Sequence, residues 1–206
     1  MYIAPGEMII LHSGCPQMLN LGNYLPKLRD EFEGSIPHMY LDACGNVTIG
    51  VGNLLESANH AQRLAFVSRA EPESATAAEI QADFDNVTQQ APGKPAGYYR
   101  QFTRLDLPDA AIATLLNNRI AEFTAKLIAA FPDFESYPEE ACAAILDMAF
   151  NLGVPGLTAK FPAFCRAVKA RDWTIAARQC HRSPPVNDDR NNWTKAQFEQ
   201  AAADAG

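Results

Sequence analysis

Two carboxylates nine residues apart, Glu33 and Asp42, followed by a hydroxyl at Thr48, are the residues best suited to carry chemistry. Such a pair can cleave a glycosidic bond. One member, protonated, donates to the leaving oxygen, while the other, ionised, activates water or attacks carbon. Glu33 ends a helical pattern beside apolar Phe32, where the negative end of the helix dipole and desolvation both raise a carboxyl's pKa. Asp42 falls in an open polar turn, where a carboxylate stays ionised. Different surroundings would then give different roles. Spacing alone does not single out this pair, because Asp and Glu fill 24 of 206 positions and most such pairs are solvated surface. The sequence has no G-x-S-x-G, phosphate-binding loop or H-E-x-x-H, and Gly50-x-Gly52 lacks the third glycine of a dinucleotide loop.

The elements that must position these residues are legible in outline. Residues 1–22 are mixed and punctuated by Gly and Pro, and read as an irregular extension. Leu25, Leu28 and Phe32 then fall on one helical face, with Gly34 at the helix end. Met39-Tyr40-Leu41 and Val47-Thr48-Ile49 flank the turn-rich Asp42-Ala43-Cys44-Gly45-Asn46, which predicts a β-hairpin. Gly50 and Gly52 mark a strand end where another group comes close. Thr76-Ala77-Ala78-Glu79 is a capping box opening a helix towards Gln89, and Ser136-Tyr137-Pro138-Glu139 reads as a second. Between them a helix is expected from near Asp106 to about Ala130, with Pro108 in its first turn. Cys142, Ile145, Ala149 and Leu152 share a face of the helix that Gly153 and Pro155 close. Further helical stretches are expected at about 159–170, 173–181 and 188–203. Helix, small hairpin and then many helices make an α+β protein with a minor sheet.

Composition narrows the function classes. Seventeen Lys and Arg against 24 Asp and Glu give a net charge of −7, so counterion release offers no affinity for nucleic acid. No apolar run is long enough to span a bilayer, and no early charge and apolar core form a secretory signal. The five cysteines, Cys15, Cys44, Cys142, Cys165 and Cys180, include no C-x-x-C and no zinc-site spacing with His. Most read as small buried apolar residues. Neither metal nor cofactor is expected.

Glu33-Gly34 followed by Tyr40-x-Asp42-x-x-Gly45 and Thr48-Ile49-Gly50-x-Gly52 resembles the catalytic helix and hairpin of the T-even phage lysozyme family. Ala144-Ile145-Leu146-Asp147-Met148-Ala149-Phe150-Asn151-Leu152-Gly153 resembles the family's central cleft helix. The segments around Arg171-Asp172-Trp173 and Asp188-Asp189-Arg190 resemble its C-terminal lobe. The resemblance covers about 24–203, specifically in the hairpin and more loosely beyond it. It implies a mostly helical, two-lobed lysozyme-like α+β fold with a small antiparallel sheet beside the cleft. The implied activity is hydrolysis of peptidoglycan at the β-1,4 bond between N-acetylmuramic acid and N-acetylglucosamine. Glu33 is then the general acid, Asp42 the carboxylate that positions or activates water, and Thr48 the hydroxyl holding that water. Leu54, Phe150 and Asn151 match positions lining the sugar cleft, and Arg190 an arginine that restrains the catalytic glutamate. The implied organisation is an extension over 1–22 and one catalytic domain over 23–206. Its hairpin lobe spans about 34–105 with an insert, and its helical lobe about 106–206.

The chain departs from the family in three ways. Asn53 stands where the family often carries His. The segment from about 56 to 105 is longer than in a minimal member. The acidic charge loses electrostatic steering to an anionic wall, which suits an enzyme delivered directly onto its substrate. Such delivery implies a phage endolysin released through a holin, or an antibacterial effector injected by a secretion machine and matched by an immunity protein. A wall-binding module without catalysis, and a chitin or chitosan hydrolase of the same fold, remain alternatives. Residue by residue, Asp42 also reads as an Asx-turn former, Thr48 as a strand residue and Arg190 as a surface cation. Phe150 reads as core or cleft, and Trp173 and Trp193 read as core rather than sugar platforms.

Overall fold

The computed structural model describes residues 24–28, 34–71 and 73–204. It is about 60% helical with a small antiparallel sheet component, an α+β fold as expected. The described residues divide into two compact units, one formed by 24–28 with 120–204 and the other by 34–119. The division falls inside one long helix, α5 (Asp109–Ala130).

In the unit of residues 34–119, β1 (Ile36–Leu41), β2 (Val47–Gly50) and β3 (Asn53–Leu54) form a three-stranded antiparallel sheet with β2 in the middle. Met39, Leu41, Val47 and Ile49 are buried, the burial expected where a short sheet packs on helices. Past the sheet come α2 (Ala58–Ala61), β4 (Val67–Ser68), α3 (Ala77–Thr88), α4 (Ala96–Tyr99) and β5 (Leu105–Asp106). These elements pack on the hairpin: α3 lies against β1, β2, β5 and α2. The Thr76 capping box forms, with Thr76 Oγ1 accepting from Glu79 N and Glu79 accepting from Thr76 N. Gly50 has φ +64°, and a Cβ there would meet Ile112 Cγ2 at 3.3 Å. The close approach expected at this strand end is therefore made by the first turn of α5.

The expected helix start near Asp106 is corrected. Leu105 and Asp106 pair as strand with Ser68 and Val67, and Leu107 N donates to Pro37 O at 2.7 Å. Both bonds hold the backbone extended, and α5 begins after Pro108, whose carbonyl accepts from Ala111 N and Ile112 N.

In the other unit, α6 (Glu139–Leu152) is buried on every side from Ala141 to Phe150. Such burial marks a central core helix rather than a half-exposed one. Around it come α7 (Val154–Lys160), α8 (Pro162–Lys169), α9 (Trp173–Gln179) and α10 (Asp188–Asp204), with α10 packed on both α6 and α9. The short α1 (Tyr24–Lys27) belongs to this unit, and Tyr24 stacks on Trp193 at 5.4 Å. Trp173 is buried edge-on against Tyr137 at 5.1 Å, as a core residue. Cys142, Cys165 and Cys180 are free and buried, and burial pushes the thiols of Cys142 and Cys180 up to about 12 and about 11.

Two expectations in this unit are corrected. Ser136 does not cap α6: the N-cap is Pro138, and Tyr137 is extended at φ −78°, ψ 156°. A residue before proline is driven out of helical geometry, so a helix starting at Tyr137 is disfavoured. Ser136 Oγ instead donates to Asp133 O at 2.7 Å and accepts from Arg171 Nη2. The stretch expected at about 159–170 is α8, preceded by a separate helix, α7, that was not expected; each has proline in its first turn, where a missing N–H costs no hydrogen bond.

Candidate active site

The hairpin turn is built around one carboxylate. Asp42 Oδ1 accepts from Cys44 N and from Asn46 N, both at 2.8 Å, and Oδ2 accepts from the Asn46 side-chain amide at 3.0 Å. Asp42 N donates to Asn46 O at 2.9 Å and Gly45 N to Asp42 O at 3.1 Å, closing the loop. Gly45 turns the chain with φ +84°, a conformation that glycine adopts without strain. Partial burial pushes the Asp42 carboxyl up, but donors on Asn46, Cys44 and Gly45 outweigh it and hold the group below its ordinary value. Asp42 is thus both an Asx-turn former and a persistent anion.

Thr48 is joined to the same turn. Its hydroxyl donates to Asn46 O at 3.1 Å, and the residue is 4% exposed. Strand register sets Thr48 opposite Tyr40 on β1 and opposite Leu54 on β3. Directly opposed residues share one face of a sheet, so Leu54 lies beside Thr48. Leu54 is a large apolar side chain that stays 48% exposed. Of the expected site residues, Thr48 and Leu54 are paired on the sheet, and Asp42 sits in the turn after β1, linked to Thr48 through Asn46. Glu33 lies outside the described residues.

Asn46 was not singled out as a site residue by sequence reasoning. Its amides hold Asp42, and its carbonyl accepts from both the Asp42 amide and the Thr48 hydroxyl. The signal available was an Asn closing a five-residue turn between two β-type runs, where Asn commonly bonds the local backbone.

The remaining expected residues lie in the other unit. Phe150 is buried and stacks on Phe123 at 4.9 Å, and Asn151 is exposed at the end of α6. Arg190 is not a surface cation. It is 7% exposed, and its Nε donates to Asp147 Oδ1 at 2.8 Å. Asp147, wholly buried on α6, also takes Arg182 Nη2 at 2.7 Å and the Thr194 hydroxyl at 2.8 Å on Oδ2. One carboxylate thus fixes two arginines and ties α10 to α6, with Asn187 Oδ1 capping the start of α10 at Arg190 N.

No family model matches this chain, and no curated protein matches it either. Among the described residues, no three His, Cys, Asp or Glu side chains are grouped so as to hold a metal ion. No single helix among them is long and apolar enough to cross a membrane.

Proposed function

We propose that the chain is a peptidoglycan hydrolase, a muramidase that cleaves the β-1,4 bond between N-acetylmuramic acid and N-acetylglucosamine by acid and base catalysis. The observation that carries this reading is the linkage of Asp42 and Thr48 through Asn46, with Leu54 beside Thr48. An anion and a hydroxyl anchored on one rigid turn can orient a single water for attack on a sugar carbon.

In this mechanism Glu33 donates its proton to the glycosidic oxygen as the bond to the anomeric carbon breaks. Water, held between Asp42 and the Thr48 oxygen, attacks that carbon from the opposite face and releases its proton towards Asp42. The anomeric configuration is inverted. Because its pKa is held low, Asp42 is a weak proton acceptor. Its larger contribution is then orientation of the water and stabilisation of the positive charge that develops on the sugar. The Thr48 hydroxyl spends its proton on Asn46 O, which leaves its oxygen to accept from the water. Leu54 offers an apolar contact to the sugar ring.

The net charge of −7 suits delivery directly onto the wall, as endolysin or as injected effector. The test is release of soluble fragments from purified peptidoglycan by wild type and Asp42→Asn, with folding checked by circular dichroism. The reading predicts a loss of several orders of magnitude in Asp42→Asn. Wild-type lysis by a folded Asp42→Asn chain would overturn it.

A further inference from the structure

On the unit of residues 34–119, α3 and the β4–β5 pair enclose an open cavity of about 550 Å³ that the catalytic reading does not use. Its volume lies within the range of small-molecule sites. Its walls carry opposite charges. Arg104 lines it with an exposed side chain that makes no hydrogen bond among the described residues, and Glu79 of α3 lines it with a carboxylate whose Oε2 accepts from the Thr76 amide and hydroxyl, leaving Oε1 for a ligand. Ser68 and Asn86 add a hydroxyl and an amide, and Leu105 an apolar patch.

The lining decides among ligand classes. Arg69 is committed to structure: it donates to Asp106 Oδ1 at 2.9 Å, to Arg100 O, and to the carbonyl and hydroxyl of Thr103. Asp83, 3% exposed, accepts from Arg104 N and Leu105 N and keeps a carboxylate in the cavity wall. A polyphosphate would meet one uncommitted guanidinium and two carboxylates, a poor electrostatic match. Among the described residues, no aromatic ring lines the cavity to stack on a sugar or a base. A ligand with a carboxylate at one end, an ammonium at the other and amides between matches all three features of the wall.

We propose that this cavity binds a short zwitterionic peptide, with its carboxylate on Arg104 and its ammonium group on Glu79. The source of that peptide rests on the wall-hydrolase reading: the peptides branching from the glycan carry free carboxylates and a free amine. Binding there would add affinity for the substrate strand without touching the reacting bond, as linked contacts do.

The test is isothermal titration of the full chain with L-alanyl-γ-D-glutamyl-meso-diaminopimelic acid. The control is the same tripeptide with its amines acetylated and its carboxyls amidated. Saturable one-to-one binding is expected, weakened about tenfold or more by Arg104→Gln and by Glu79→Gln, and lost with the blocked peptide. Glutamine also serves at the third position of a capping box, so Glu79→Gln keeps α3 intact and decides the matter if Arg104→Gln does not fold. Both variants should cut peptide-free glycan at the wild-type rate. No binding, binding that both variants leave unchanged, or equal binding of the blocked peptide would overturn the inference. A chain that binds the tripeptide but cuts no glycan overturns the hydrolase reading and leaves the peptide site standing.

Discussion

The side-chain amide of Asn46 donates to Asp42 Oδ2 at 3.0 Å, while its backbone amide donates to Oδ1 at 2.8 Å. The Asn46 carbonyl meanwhile accepts the Thr48 hydroxyl at 3.1 Å. One turn residue therefore helps to hold Asp42 ionised and links it to Thr48.

Replacing Asn46 by Ala removes one donor and keeps the backbone ones. Activity should fall about ten- to a hundredfold, the scale of one hydrogen bond to a charged group. The Asp42 pKa should rise, because a donor that favours the ionised form is gone. Since Asp42 acts ionised, the acid limb of the pH–rate profile should move to higher pH. Asn46→Asp places a like charge beside it and should move that limb further. Unchanged profiles in both variants would remove Asn46 from the account.

Thr48→Val keeps the β-branched shape that suits the middle strand and deletes the hydroxyl. The Asn46 carbonyl keeps its bond from Asp42 N, so the stability cost should stay within about 1 kcal/mol. Activity should fall clearly, though less than in Asp42→Asn. Denaturant unfolding together with peptidoglycan lysis separates the two effects. Full activity in a stable Thr48→Val chain would deny the hydroxyl any role.

Asp147 pairs with two buried guanidiniums, Arg182 and Arg190. Asp147→Asn removes the charge that compensates them and should cost about 3–5 kcal/mol, the scale of breaking a buried ion pair. Urea unfolding measures it. A loss below about 1 kcal/mol would mean that the arginines find another compensation.

His38 is buried at 4% exposure, and its Nε2 lies 3.0 Å from Ala96 O. Burial lowers its pKa and, with Arg100 and Arg69 nearby, prevails over the Ala96 bond and Asp106, which raise it. The unfolded chain therefore takes up this proton at a higher pH than the folded one. The resulting stability is intact above the unfolded value of about 6.5, and is lost as pH falls through that value to the lower folded one. Wild type should lose more stability than His38→Gln between pH 7 and pH 5 in parallel urea titrations. Equal losses would mean that His38 carries no such linkage.

What the sequence makes legible here is local. The Thr76 capping box and the 39–49 hairpin are written within a few residues, and both form. The Ser136 box fails for a local reason also in the sequence, because Pro138 forbids Tyr137 a helical backbone. Asp106 reads as helix because its strand partner, Val67, lies 39 residues away. The bond from Arg190 to Asp147 spans 43 residues, and neither residue type at that distance announces the other. Turn chemistry marks Asn46 as a turn residue, but not that three of its groups would serve Asp42 and Thr48. That choice follows from the register joining Tyr40, Thr48 and Leu54 across three strands.

The most direct test of the central claim is mass spectrometry of fragments released from purified peptidoglycan by wild type and by Glu33→Gln. The account predicts fragments ending in reducing N-acetylmuramic acid from wild type and none from a folded Glu33→Gln chain, because the leaving oxygen then has no proton donor. Anhydro-muramic ends would contradict the water-holding roles of Asp42 and Thr48. Equal digestion by both proteins, or by neither, would contradict the muramidase itself.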